Sequence, residues 1–338
     1  MNSPTRTGSA RPIAARFSVL GSMALLAASV ILSTASAQTN PGLTGDPCVS
    51  PAMIPPMVRE GNSVRVGPSA RLVSQSAGAR ENERGVALTQ APDTLRTLEE
   101  AHHWFEKAAR KGYAPAQVNL AVLSLAGWGT PTNAGAALYW LREAARRGYA
   151  LAYFDLGILY LRGCGVRQDD HQALSWFERG ANAGDSLAQL NLGYLYDQGL
   201  GVAQDRTQAA LWYRKAAESA VAQAQYNLAD LYAHGDGVPL DEGLAFAWYQ
   251  KAALQGHTGA RVMLGSMYAS GRGTEKDLPS AYAWLFAAAL QGDNRGSTTL
   301  QALERQLPPD QLTQSKMRAQ SLAHSPNPAN PSELAFLH

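Results

Sequence analysis

The sequence predicts an all-α protein in which copies of one helical unit stack side by side. The first observation is a fixed spacing of 36 residues between tryptophans, with no insertion or deletion across the series. The second is that small and apolar residues keep their places in every unit, at helical intervals of three and four. Units of this size cannot bury their apolar faces alone, so they are stable only when stacked. The tryptophans in the series are Trp104, Trp140, Trp176, Trp212, Trp248 and Trp284.

The segment around each tryptophan is predicted to form one helix of the unit. Its apolar and small residues share one helical face, so that a large ring is buried among small neighbours. A glycine follows where a helix end favours a left-handed residue, except that Ala220 takes its place in one unit. In the first unit the residues of this face are Ala101, Trp104, Phe105 and Ala108.

A second helix and a glycine turn complete the unit. The second helix carries Leu192, Gly193 and Tyr196 at helical spacing. Two glycines flanking one residue follow it, as at Gly199 and Gly201. We interpret them as a turn, because a phosphate-binding loop would follow a strand and no strand pattern is present. The acidic residue after the turn is predicted to cap the next helix.

Taken together, these columns resemble the Sel1-like repeat, a relative of the tetratricopeptide repeat. The shared string is Ala-x-x-Trp-[Tyr/Phe]-x-x-Ala-Ala-x-x-Gly-x-x-x-Ala-Gln-x-x-Leu-Gly-x-x-Tyr-x-x-Gly-x-Gly-Val, and it is clearest from Ala173 to Val202. The match extends over about residues 97 to 300. The resemblance implies an α/α superhelical solenoid of helical hairpins, similar to tetratricopeptide solenoids, with a concave surface that usually binds other proteins.

The first 37 residues have the composition of a secretory signal peptide. We expect cleavage after Ala37 and a periplasmic or secreted mature protein in a bacterial envelope. A permanent membrane anchor is the alternative, although the apolar run is shorter than the roughly 20 residues that a spanning helix needs. The segment comprises Arg6, Arg11 and Arg16, then the apolar run Phe17 to Leu32, then Ala35, Ser36 and Ala37.

The remaining chain divides by composition. A Pro/Ser/Gly-rich stretch without periodicity predicts a flexible, disordered linker. Beyond the repeats the consensus columns fade, and a last amphipathic stretch predicts a helix that caps the solenoid. The expected segments are a signal peptide (1–37), a linker (38–92), six repeat units with the last one degenerate (93–308), a capping helix (309–324) and a loose tail (325–338).

Charge and motifs exclude several functions. Cleavage of the signal peptide would remove three of 29 basic residues and none of 27 acidic ones, which leaves a formal charge of −1. A nucleic-acid partner is therefore not expected, since it needs a basic face. No catalytic, cofactor-binding or metal-binding motif is recognisable. Some secreted relatives that act on penicillin-like compounds carry paired cysteines in each repeat, and these pairs are missing here.

Two cysteines remain after cleavage, Cys48 in the linker and Cys164 between two turn glycines. In an oxidising compartment they are candidates for a disulfide. Free or intermolecular thiols are the alternative.

By resemblance to tetratricopeptide solenoids, the helix with Leu-Gly-x-x-Tyr is expected to line the concave surface. Positions two residues before and after the leucine then offer side chains to a partner. The position directly before it offers mainly amides, which would hold an extended peptide by its backbone. The alternatives are that the apolar side chains pack between units and that the amides brace the next helix. The candidate residues are Phe154, Ile158, Leu190, Tyr194, Tyr226, Asp230, Asn119, Asn191 and Asn227.

These observations favour a non-catalytic scaffold or adaptor that gathers envelope proteins on a helical solenoid, with partners of unknown identity. Two other hypotheses remain open. One is a hydrolase or binding protein directed at cell-wall material or β-lactams, and the other is a carbohydrate-binding solenoid whose aromatic side chains stack on sugars.

Overall fold

The computed structural model describes residues 78–89 and 95–324, which form fourteen helices and no strand. Each helix packs against the next one along the chain, except that the last helix packs on the one two before it, so the described part is an α/α solenoid. The signal peptide, most of the predicted linker and the loose tail lie outside the described residues. No helix within the described ranges is long and apolar enough to cross a membrane.

Two kinds of helix alternate. We call those with the tryptophans the Trp helices: α2 (Leu95–Arg110), α4 (Ala134–Arg146), α6 (Asp170–Asn182), α8 (Arg206–Glu218), α10 (Glu242–Leu254) and α12 (Leu278–Leu290). We call those with the leucine and the small residue after it the LG helices: α3 (Ala114–Ala126), α5 (Ala150–Arg162), α7 (Ser186–Gln198), α9 (Ala222–His234) and α11 (Thr258–Ser270). The outer helices are α1 (Ala79–Thr89), α13 (Ser297–Gln306) and α14 (Pro309–His324).

The turn between an LG helix and the next Trp helix follows the predicted chemistry. α7 ends at Gly199, whose left-handed backbone (φ 70°) lets its N–H donate to the carbonyl of Leu195. Asp205 then caps α8 by accepting a hydrogen bond from the N–H of Gln208 at 3.0 Å. The N–H of Asp205 donates to the carbonyl of Tyr196 at 2.9 Å, which anchors the turn to the LG helix.

The second glycine of each turn lies directly against the first turn of the preceding Trp helix, and we call this close contact a joint. A β-carbon on Gly201 would lie 2.4 Å from the carbonyl oxygen of Asp170, in the first turn of α6. At the other turns a β-carbon would come equally close to the first turn of the preceding Trp helix, to its backbone in three of them and to the side chain of Ala134 at Gly165. A larger residue at these positions would force the two segments apart. The equivalent glycines are Gly129, Gly165, Gly237 and Gly273.

The glutamine column of the repeat binds each LG helix to the end of the Trp helix before it. The side-chain amide of Gln225 donates to the carbonyl of Ala217 at 3.1 Å, and Gln117 and Gln189 make the same bond with Ala109 and Ala181. Each of these carbonyls also accepts a backbone N–H from the turn after its helix, so the glutamine amide is a second donor that ties the LG helix to this helix end. In the last unit, Arg261 takes the glutamine's place.

The expectation that the tryptophan is the buried ring of each unit is wrong for most units. The residue directly after it is fully buried instead, while the tryptophans themselves are half-buried except Trp284. The cause is packing: the residue after the tryptophan lies against the small residue of the preceding LG helix, as Phe177 lies against Gly157. The buried residues are Phe105, Leu141, Phe177, Tyr213, Tyr249 and Leu285.

The last part of the predicted linker is a helix rather than a flexible segment. Helix α1 packs on α2, and its Asn82, Gly85 and Val86 are buried. Gly85 lies 36 residues before Ala121 and receives the ring of Phe105, so α1 takes the place of an LG helix. The sequence did not indicate this helix because Arg84 stands in the leucine column.

The C-terminal end of the solenoid is covered by α14. This helix packs on α12, where Ala319 contacts Ala283 and Ala287, and the tryptophan of this unit is buried. Arg261 reaches from α11 to donate to the carbonyl of Leu322 at 2.8 Å. The apolar face of the last Trp helix is therefore shielded from water.

Candidate partner-binding surface

The candidate column before the leucine is largely buried. Phe154 and Leu190 are only 9% and 3% exposed, which contradicts their expected role as exposed anchors. The reason is that each LG helix packs against the Trp helices on both sides of it. Tyr226, in the same column, stays half-buried and stacks on the ring of His257 with centroids 4.6 Å apart.

The amide column does not form a free ladder. Asn119 and Asn191 are buried, and the amide of Asn191 donates to the carbonyl of Leu187 in its own helix at 2.8 Å. Asn119 donates to Asn82 of α1 at 2.9 Å. The half-buried Asn227 accepts from Gln223 at 2.8 Å. Only the bond of Asn119 joins two helices, whereas those of Asn191 and Asn227 lie within α7 and α9. The burial of Asn119 and Asn191 favours the alternative in which this column serves packing over the one in which it holds a peptide backbone.

The column after the leucine is accessible in every unit except the first, where Val122 is buried. Ile158, Tyr194 and Asp230 are each partly exposed and lie 36 residues apart on α5, α7 and α9. Asp230 accepts a hydrogen bond from the hydroxyl of Tyr249 at 3.0 Å, which fixes its carboxylate. We call Ile158, Tyr194 and Asp230 the LG strip. It brings together an aliphatic, an aromatic and an anionic side chain along three consecutive units.

Two carboxyl groups interact near the LG strip. Burial, together with the charge of Asp185, raises the pKa of Asp155 to about 7. Burial also raises the pKa of Asp185 to about 6, although backbone N–H groups at the start of α7 oppose this. Asp185 caps α7 by accepting a hydrogen bond from the N–H of Ala188 at 2.7 Å, so its role is structural.

Among the titratable groups away from this pair, burial lowers the pKa of His257 to about 4. Residues 78–89 and 95–324 contain no group of three or more side chains that would hold a metal ion.

Basic side chains on the Trp helices form a feature that the sequence analysis missed. Arg179 lies 4.6 Å from the ring centroid of Trp176, and Lys215 and Lys251 lie similarly over the tryptophans of α8 and α10. Such contacts hold a cation in place over an aromatic face. The available signal was a basic residue three positions after the tryptophan, at Lys107, Arg179, Lys215 and Lys251.

Cys164 is fully buried and is disulfide-bonded. Its predicted partner, Cys48, lies outside the described residues, so the pairing of these two residues stays a prediction.

The comparisons agree with this geometry. The fold defines a tetratricopeptide-like α solenoid, and the model of the Sel1 repeat family matches residues 95–113, 114–149, 150–185, 186–221, 222–257 and 259–293. The chain belongs to the Sel1 repeat family. Sel1 repeats generally mediate protein–protein interaction, and proteins built from them are typically non-catalytic scaffolds.

Two solved structures resemble the chain. A Sel1 repeat protein from Oxalobacter formigenes is 33% identical with a TM-score of 0.62, over 69% of this chain and 68% of that one. The protein c5321, a protective antigen of uropathogenic Escherichia coli with an SLR fold, is 26% identical with a TM-score of 0.50. That match covers 80% of this chain and 66% of the antigen, so the chain spans slightly less than two thirds of it. No curated protein matches the chain.

Proposed function

We propose that the protein is a non-catalytic scaffold or adaptor of the bacterial cell envelope, periplasmic or secreted, which gathers partner proteins on its Sel1 solenoid. The protein-binding part rests on the family, whose repeats generally bind proteins. The envelope location rests on the signal-peptide composition of residues 1–37. In this proposal residues 38–77 tether the solenoid and α14 caps it.

The LG strip is the surface that we assign to the partner. The observation that carries this assignment is the partial exposure of Ile158, Tyr194 and Asp230 at one repeated position of consecutive LG helices, whereas the leucine two residues before each of them is fully buried. Tyrosine contributes a large contact area at low entropic cost, and a central aromatic anchor is typical of binding hot spots. Tyr226, stacked on His257, extends this surface on α9.

A pull-down from envelope extract tests the LG strip. The bait is the mature protein from Gln38, and the variant combines Ile158→Ala with Tyr194→Ala. The matched control combines Tyr139→Ala with Leu211→Ala, since these exposed side chains of the Trp helices are also one aromatic and one aliphatic residue. We expect the wild type and the control to retain the same protein and the strip variant to lose it. Equal recovery by all three baits would contradict the assignment.

The location and the absence of catalysis are tested separately. Expression in a Gram-negative host should give a periplasmic protein whose first residue is Gln38, as read by N-terminal sequencing. An uncleaved chain in the membrane fraction would indicate an anchor instead. Sustained turnover of nitrocefin or peptidoglycan by the purified mature protein would contradict a non-catalytic scaffold.

A further inference from the structure

The groove between α4 and α6 differs in charge from the other grooves of the solenoid. We call it the arginine cleft, and it is lined by Arg142, Ala145 and Arg146 of α4 with Trp176 and Arg179 of α6. Its three charged side chains are all guanidinium groups. All three arginines are exposed to solvent, so a ligand has access to them.

The 36-residue register allows the other grooves to be compared position by position. Three of the other four grooves have at least one glutamate at the positions equivalent to the three arginines, and the last groove has only uncharged residues there. The last groove lies next to Trp284, which is buried. The arginine cleft is therefore the all-cationic one of the five. The equivalents of Arg142, Arg146 and Arg179 are Glu106, Arg110 and Glu143; Glu178, Asn182 and Lys215; Arg214, Glu218 and Lys251; Gln250, Leu254 and Ala287.

Two arginines of the cleft, Arg142 and Arg179, are held in place without a carboxylate partner among the described residues. Arg142 donates to the hydroxyl of Tyr160 at 2.7 Å, and Arg179 lies over the ring of Trp176. Neither forms an ion pair with a carboxylate of the described residues, since the ion pairs of this region involve other side chains. Arg146 pairs with Glu143, which also serves Arg147. A guanidinium keeps further N–H donors free after one hydrogen bond.

The donors that the cleft offers are its guanidinium groups. The Nε1–H of Trp176 has no acceptor among the described residues, but it is buried and not accessible to a ligand in the cleft. No carboxylate lies among the lining residues, so nothing in the lining opposes the binding of an anion.

We propose that the arginine cleft binds the carboxylates of an acidic segment in a partner protein. Guanidinium groups bind carboxylates through paired N–H···O bonds, and groups that are already positioned lose less freedom on binding. The proposal rests on the proposed function in that the ligand is a protein segment. It places this contact on the Trp helices, apart from the LG strip.

Fluorescence anisotropy with a labelled hexaglutamate peptide tests the proposal, with hexaglutamine as the uncharged control peptide. The cleft variant combines Arg142→Gln with Arg179→Gln. The matched control variant combines Arg214→Gln with Lys215→Gln, which removes the same charge from the same two columns of α8. Arg214 also donates to a tyrosine, Tyr232, and Lys215 also lies over a tryptophan. Circular dichroism confirms that both variants are folded.

We expect saturable binding of hexaglutamate by the mature protein and no binding of hexaglutamine. The cleft variant should bind about tenfold more weakly or worse, because charge-assisted hydrogen bonds are lost, while the control variant should stay within about twofold of the wild type. Equal weakening in both variants would overturn the proposal, since it would indicate a general charge effect. Saturable binding of inorganic phosphate without binding of hexaglutamate would also overturn it. If the wild type does not bind hexaglutamate but still retains its partner in the pull-down through the LG strip, the arginine cleft proposal fails and the proposed function stands.

Discussion

Gly157 of α5 and Phe177 of α6 are in direct contact: a β-carbon on Gly157 would lie 2.5 Å from Cε1 of the phenylalanine ring. The same contact joins Gly193 to Tyr213 and Gly265 to Leu285. Because the larger side chain rests on the glycine backbone, the LG helix and the next Trp helix pack closely in these three units. Ala121 and Ala229 take the place of the glycine in the other two.

Gly157→Ala should lower the free energy of unfolding by about 1 to 3 kcal/mol, because the ring of Phe177 must move to admit a methyl group. Gly135→Ala is the control, since Gly135 lies in a helix and is exposed, and a β-carbon there would meet only Oδ1 of Asn133, at an ordinary contact distance of 3.5 Å. That change should raise stability by about 0.5 to 1 kcal/mol. Urea unfolding measures both. A neutral Gly157→Ala variant would show that the contact is easily relaxed.

Ala220 is the one non-glycine residue with positive φ in the described ranges, at 60°. Ala220→Gly should raise the free energy of unfolding by about 0.5 to 1 kcal/mol, since the left-handed conformation is strained for alanine. Gly184→Ala, at the equivalent position of another unit, should lower it by a similar amount. A β-carbon there would meet no atom within 4 Å, so the effect comes from the backbone alone. Changes of the same sign in thermal or urea unfolding would contradict this account.

Asp155 predicts a pH dependence of stability. Its folded pKa of about 7 is above the unfolded value of about 3.9, so its contribution is complete below about pH 4 and is lost as the pH rises to about 7. Asp155→Asn cannot ionise, so its stability relative to the wild type should increase over this range by up to about 1.4 kcal/mol per pH unit.

Urea unfolding of both proteins between pH 4 and 8 measures this difference. His257, whose pKa is lowered in the folded protein, has the opposite pH dependence, but it cancels because both proteins contain it. A difference that is constant with pH would show that the carboxyl of Asp155 ionises as it does in water.

The predicted pairing of Cys48 with Cys164 can be read by mass spectrometry. Mature protein denatured without reductant should take up no iodoacetamide, because Cys164 is disulfide-bonded. After reduction both cysteines should be labelled, and proteolysis of the oxidised protein should give one fragment that links them. A covalent dimer on a non-reducing gel would contradict the pairing within one chain.

Local chemistry made most of the fold predictable. The turn glycines and the capping aspartates act within a few residues of one another, so a single turn such as Gly199 to Gln208 contains every residue needed to predict where one helix ends and the next begins. Which aromatic residue is buried was harder to predict, because this depends on the neighbouring helix. The small residue of the preceding LG helix leaves space for the side chain after the tryptophan and not for the tryptophan itself. That is why Phe177 and not Trp176 is the buried ring.

The accessibility of the candidate binding residues depends even more on the helices packed around them. Phe154 is apolar in a column that a curved solenoid was expected to expose, but the Trp helices on both sides cover it. The arginine cleft is formed by residues of two different units, so no single copy of the repeat reveals it.

The joint between Gly201 and Asp170 recurs in every turn between residues 31 positions apart. An extra residue inserted in one turn would displace its glycine from that joint. A change by a complete period, as in the removal of residues 186–221, avoids this. Each such step would shorten the protein while leaving all remaining joints matched, so the reach of this chain is adjustable in discrete increments.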